Sequence, residues 1–198
     1  MLKGFKGLEA FCKDLASDQP APGGGSASAA AGAMAASLLS MVCGVTLKSK
    51  KHEANWPKLA LLRRRADSLS GLLLRTAEAD SAAYVMLVIR AKAKRADPSN
   101  HKAVAAFDAS VRSAMDIPAS TAEQCLAVLR LSQEVAALGT KSASSDIEVA
   151  RLLAAAGVDG AVANVMVNIP SCSDHAYAAR AKEAADEALR EKARLIQG

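Results

Sequence analysis

The chain has 198 residues and a formal net charge of +5, and 51% of it is hydrophobic while only 3% is aromatic. That length suits a single domain, 1–198, able to bury a core, and abundant alanine with few aromatic or β-branched residues favours helix over sheet. The modest basicity lacks the dense basic and aromatic stretches of a nucleic-acid binder. The four cysteines and three histidines show no metal-ligand spacing, and the N-terminus shows no secretory pattern, so a cytoplasmic protein with reduced, buried thiols and no metal is expected.

Gly7 to Ser17 carries Leu8, Phe11, Cys12 and Leu15 at the spacing of a short amphipathic helix. Pro20-Ala-Pro-Gly-Gly-Gly-Ser26 follows. The prolines stiffen the approach, the glycines admit another group close to the main chain, and Ser26 is placed to cap the next helix. Two readings stand for this turn: a plain helix entry, or a helix N-terminus that receives an anion or an electron-rich heterocycle. No Gly-Lys-Ser/Thr follows and no strand pattern precedes, so a nucleotide P-loop or a Rossmann turn fits poorly.

From Ala27 to Leu47 there is no charged residue. The stretch is long enough to span a bilayer, but its alanine, serine and glycine content favours a helix buried within a bundle. Lys48, Lys50 and Lys51 close it, where cations suit the helix dipole. A long helix is predicted from Trp56 to Arg95, another from His101 to Met115 ended by Ile117-Pro118, and a third from Ser120 to Leu138 ended by Gly139. Ser145-Asp-Ile-Glu148 reads as a capping box opening a helix that ends at Gly157. A short helix over 160–169 and a last one from Ser173 complete the chain. The predicted fold is all-α, an antiparallel helical bundle around the buried small-residue helix. Small side chains that permit close packing also predict a homodimer.

Few residues stand out chemically. Asp80 lies among alanines in the longest helix. It is either a solvated surface residue or a cleft carboxylate whose basicity burial has raised, with Tyr84 one turn away to orient it. Asn164 and Asn168, also one turn apart, put two amides on one face of an apolar helix, where they bond backbone or read a flat heterocycle. Asp146 is explained by the dipole of the helix it opens.

The glycine turn, the small-residue helix with Thr46 and the lysines, Asp80, Ile117-Pro118, Ser145-Asp146 and Asn164-Val-Met-Val-Asn168 occur in the order found in the cyclodeaminase/cyclohydrolase family, which the chain resembles over nearly its whole length. The resemblance implies an all-helical, metal-free homodimer that binds a tetrahydrofolate derivative as substrate, with no role for nucleic acid or membrane. It implies action at the carbon bridging N5 and N10. A cyclodeaminase would close 5-formiminotetrahydrofolate to the 5,10-methenyl form with loss of ammonia. The alternatives are a methenyltetrahydrofolate cyclohydrolase and a folate-binding relative without activity. Under the resemblance Asp80 becomes the catalytic acid/base. Pro22, Gly23, Gly24, Gly25 and Ser26 line the folate cleft, Asp146, Asn164 and Asn168 join the substrate-binding set, and Lys50 and Lys51 attract the glutamate or polyglutamate tail. The chain departs from the family's common Gly-Lys-Lys-Lys-Tyr at Lys48-Ser49-Lys50-Lys51-His52, and from its Gly-Asn at Gly139-Thr140.

Overall fold

The structure, a computed structural model, describes residues 3–197. Six α-helices make it up: α1 (Lys3–Leu15), α2 (Gly24–Thr46), α3 (Trp56–Ala96), α4 (His101–Leu138), α5 (Ser144–Asn168) and α6 (His175–Gln197). The described residues include no strand.

The uncharged stretch forms α2, and its alanines and short apolar residues are swallowed by the core: Ala29, Ala35, Ala36, Leu39, Val42 and Cys43 have no exposed surface. α2 packs along α3 and α5, and α4 bridges those two on the far side, closing a four-helix ring against which α6 lies. Side-chain bonds fix the antiparallel register of α2 on α3. Ser26 meets Asp80, Ser37 meets Ser70, and Ser40 meets Asp67, one partner number falling as the other rises. α1 lies largely apart from the ring, with Phe5 and Leu8 exposed. Both Gly24–Thr46 and Lys141–Ser171 are apolar and long enough to cross a membrane, and α2 and α5 supply much of the bundle core.

Several expected boundaries are corrected. α4 runs unbroken through Pro118 and α5 through Gly157 and Gly160. A proline in a helix removes one N–H and orphans the carbonyl four residues back. Here that carbonyl, Ala114 O, accepts a 3.1 Å bond from Asn168 Nδ2 of α5, so the helix continues. Gly157 persists for a packing reason: a Cβ on it would stand 2.7 Å from Cys125 Sγ and 3.0 Å from the Ser28 carbonyl oxygen, where α5 meets α4 and α2. The expected capping box at Ser145 does not form, because a short 3-10 turn over Lys141–Ala143 feeds directly into α5 and no side chain caps it. Ser26 is likewise not a cap; Gly23 takes that place and Ser26 lies inside the first turn of α2. The thiols are all free, but Cys12 is exposed rather than buried.

Candidate active site

The glycine turn, α3, α4 and α5 converge on a cavity of about 300 Å³ at the end of the ring where α2 begins. Asp80 reaches into it from α3 and lies flat over Gly25 in the first turn of α2. A Cβ at Gly25 would come within 2.6 Å of Asp80 Cγ, so only glycine leaves room for the carboxylate there. Ser26 Oγ donates to Asp80 Oδ2 at 2.8 Å, and the Ser26 backbone N–H also bonds the carboxylate. The first turn of α2 contains no acid of its own. Asp80 supplies one from a neighbouring helix, at the positive end of the dipole.

Two opposed effects set the basicity of Asp80. Burial comes first and raises its pKa above the ordinary carboxylate value; the two bonds from Ser26 pull the other way and are outweighed. The result is a carboxylate held in one position and more willing than usual to accept a proton. Tyr84 does not orient it. Its ring stands half-exposed in the cavity wall, while Ser26 holds the carboxylate.

The two asparagines face the same cavity, and both bond backbone, the first of the alternatives raised by their spacing. Asn164 Nδ2 donates to Gly160 O at 2.8 Å. Asn168 Nδ2 donates to Asn164 O at 2.8 Å and to Ala114 O at 3.1 Å. Because an amide carries two N–H bonds, Asn168 has spent both on backbone and offers only its oxygen to a ligand. Asn164 retains one N–H and its oxygen. The wall is therefore polar at Asp80 and the asparagines, and apolar at Ala83, Ala114, Pro118 and Val167. A flat, nitrogen-rich ring with a donor edge matches that division.

Of the residues picked from sequence, Gly23, Gly24, Gly25, Asp80, Asn164 and Asn168 line this cavity. Ser26 stands behind Asp80, and Pro22 belongs to the turn but not to the lining. Lys50, Lys51 and Asp146 lie elsewhere. The 23 residues of α2 separate the glycine turn from the lysines by about 33 Å of helix, and Asp146 sits in the first turn of α5, opposite the end that carries Asn164 and Asn168. None of these three lines the cavity that holds Asp80. At that far end the Thr140 backbone N–H donates to Thr46 Oγ1 at 3.0 Å, so the loop is held there without an asparagine side chain. Pro20 and Ala21 of the same turn, Tyr84 and Pro118 also line it, and Ala83, Ala114 and Val167 complete the lining without a chemical signal in the sequence. No group of three or more His, Cys, Asp or Glu that could hold a metal ion occurs among the described residues.

A family model described as formiminotransferase-cyclodeaminase matches residues 7–187. The chain is 33% identical over 178 residues to the methenyltetrahydrofolate cyclohydrolase of Methylorubrum extorquens, an alignment covering 89% of this chain and 86% of that protein. It is 29% identical over 187 residues to the formimidoyltransferase-cyclodeaminase of Sus scrofa, covering 94% of this chain but 35% of that protein. The crystal structure of formiminotetrahydrofolate cyclodeaminase from Thermotoga maritima has the same fold, with a TM-score of 0.85 at 24% identity over 96% of this chain and 91% of that one.

Proposed function

The chain belongs to the formiminotransferase-cyclodeaminase family, and from that premise we propose a folate one-carbon enzyme whose reacting centre is the carbon bridging N5 and N10 of tetrahydrofolate. The observation that carries this reading is Asp80, pinned on the α2 N-terminus in a cavity, with basicity raised by burial.

The proposed reaction is cyclodeamination. The formimino group of 5-formiminotetrahydrofolate enters protonated, as an amidinium cation, and N10 attacks its carbon to give a tetrahedral carbon bearing three nitrogens. Asp80 takes the N10 proton and returns it to the exocyclic nitrogen, the bond from carbon to that nitrogen breaks, and ammonia leaves. The ionised carboxylate then faces the cationic amidinium of the methenyl product and stabilises it. Asn164 and Asn168 hold polar edges of the pterin.

A second reading rests on the 33% identity to a cyclohydrolase matched over most of its length. There Asp80 would take a proton from the water that attacks the methenyl carbon. One assay separates the two. The purified protein receives 5-formiminotetrahydrofolate in one arm and 5,10-methenyltetrahydrofolate in the other. Gain of methenyl absorbance with ammonia release is expected in the first. Loss of methenyl absorbance above the buffer rate in the second arm alone would identify the cyclohydrolase. No turnover in either arm refutes the enzyme reading.

A metal-free, cytoplasmic homodimer belongs to the same proposal. Met34, Met41 and Val45, exposed on α2, support a second subunit covering that face. The glutamate tail is not assigned to Lys50 and Lys51 of the same chain, given their distance from the cavity.

A further inference from the structure

Ser81 follows Asp80 on α3, and nothing in the proposed chemistry uses it. Its hydroxyl oxygen lies 2.9 Å from Ser26 Oγ, which in turn lies 2.8 Å from Asp80 Oδ2. Ser26 is 1% exposed, so no water competes for its hydroxyl. A hydroxyl has one proton to give. Ser26 gives it to the carboxylate, which has none to offer when ionised, and the direction of the remaining bond is thereby fixed: Ser81 donates to Ser26. The three side chains form a one-way chain, Ser81 to Ser26 to Asp80.

We propose that Ser81 is a positioning residue for the acid/base carboxylate, acting through Ser26 by polarising its hydroxyl and locking its rotor toward Asp80. The role rests on the reading of Asp80 as the proton carrier. A donor to Ser26 makes that hydroxyl a stronger donor in its turn, since hydrogen bonds in series reinforce one another where water is excluded. The chain opposes the effect of burial and keeps the carboxylate ionised at lower pH. It also keeps one carboxylate geometry throughout turnover. Without Ser81, the Ser26 hydroxyl loses the donor that fixes its lone pairs and is free to turn toward a carbonyl of its own helix.

Ser81→Ala removes the first link, Ser81→Thr keeps a hydroxyl at the same position, and Ser26→Ala removes the second link as a reference. The carboxyl carbon of Asp80 is titrated by NMR in each variant, and the acid limb of the kcat/KM profile is recorded alongside. For Ser81→Ala an upward shift of about 0.3 pH units is expected in both readouts, from a loss of roughly a fifth of one charge-assisted bond. Ser26→Ala should shift further in the same direction, and Ser81→Thr should return to the wild-type value. An Asp80 titration unmoved in Ser81→Ala, or moved equally in Ser81→Thr, overturns the proposal even if melting temperatures change. The NMR titration needs no turnover, so it still judges Ser81 if the protein proves inactive on both folates.

Discussion

Gly25→Ala tests the arrangement of the site most directly, because its effect follows from one distance. The new methyl group would stand 2.6 Å from Asp80 Cγ, where ordinary contact begins at 3.4 Å. The helix backbone cannot give way, so the carboxylate must withdraw by about 1 Å, and a misplacement of that size costs on the order of 100-fold in rate. The move also stretches the 2.8 Å bond from Ser26 Oγ and the bond from the Ser26 N–H, each worth about 1.5–3 kcal/mol when made to a charge. The fold should survive, since alanine suits a helix better than glycine by about 1 kcal/mol and Asp80 can swing into the cavity. Gly24→Ala is the comparison. Its methyl group meets only the end of Asn164, at 3.3 Å from Nδ2, and a loss of about threefold is expected there by the same reasoning. Steady-state kinetics on whichever folate is turned over, with circular dichroism as the check on folding, decide the matter. A Gly25→Ala enzyme within threefold of wild type, or one no worse than Gly24→Ala, would refute the placement of Asp80 as the proton carrier.

Asp80→Asn should lower kcat by roughly 100- to 10,000-fold, the usual contribution of a positioned acid/base. It should also raise the melting temperature near neutral pH. Burial lifts the folded-state pKa of Asp80 above its unfolded value. The wild type therefore loses stability as pH climbs through those two values, and asparagine, which does not ionise, is spared that loss. The gap between the two melting curves must close as pH falls below the ordinary carboxylate range; a gap that widens in acid contradicts the assignment. Gly157→Ala overpacks the junction with Cys125 Sγ and the Ser28 carbonyl. About 1–3 kcal/mol of destabilisation is expected, read as a fall of about 2–12 °C in melting temperature with kcat/KM retained below the transition. An unchanged melting temperature would show that the junction can relax.

Legibility differed by kind of signal. The charge-free run announced a buried helix because burial of small apolar residues leaves no room for charge, and α2 obeys it on the faces that carry Ala29, Ala36, Leu39 and Cys43, while Met34, Met41 and Val45 form an exposed stripe. Asp80 stood out as a charge where its neighbours are alanines, and the asparagine pair by its spacing. Breaker residues misled, since their effect is decided by distant partners. Pro118 ends no helix because Asn168 of α5 bonds the carbonyl it orphans, and Gly157 ends none because α2 and α4 press against it. Ser26 and Ser145 have the composition of caps, but the turns before them already start the helix. Lys50 and Lys51 carry the chemistry of an anion site and Asp146 that of an acid at a helix N-terminus, but only the length and direction of α2 and α5 reveal that they stand at the far end. Ser81 and the apolar wall carried no signal because serine, alanine and valine are unremarkable until a neighbour is known.

The bond from Asn168 to Ala114 O ties two helices to one another's sequence. A proline at 118 creates a vacancy for a donor, and an asparagine at 168 fills it. Alanine at 118 would restore the helical N–H, retire the need for that donor, and return one amide proton to the cavity, so that this edge could meet a ligand acceptor as well as a ligand donor. Positions 118 and 168 should therefore change together among relatives, and a relative that keeps the asparagine while losing the proline would be expected to tolerate a ligand acceptor at that edge where this chain takes only a donor.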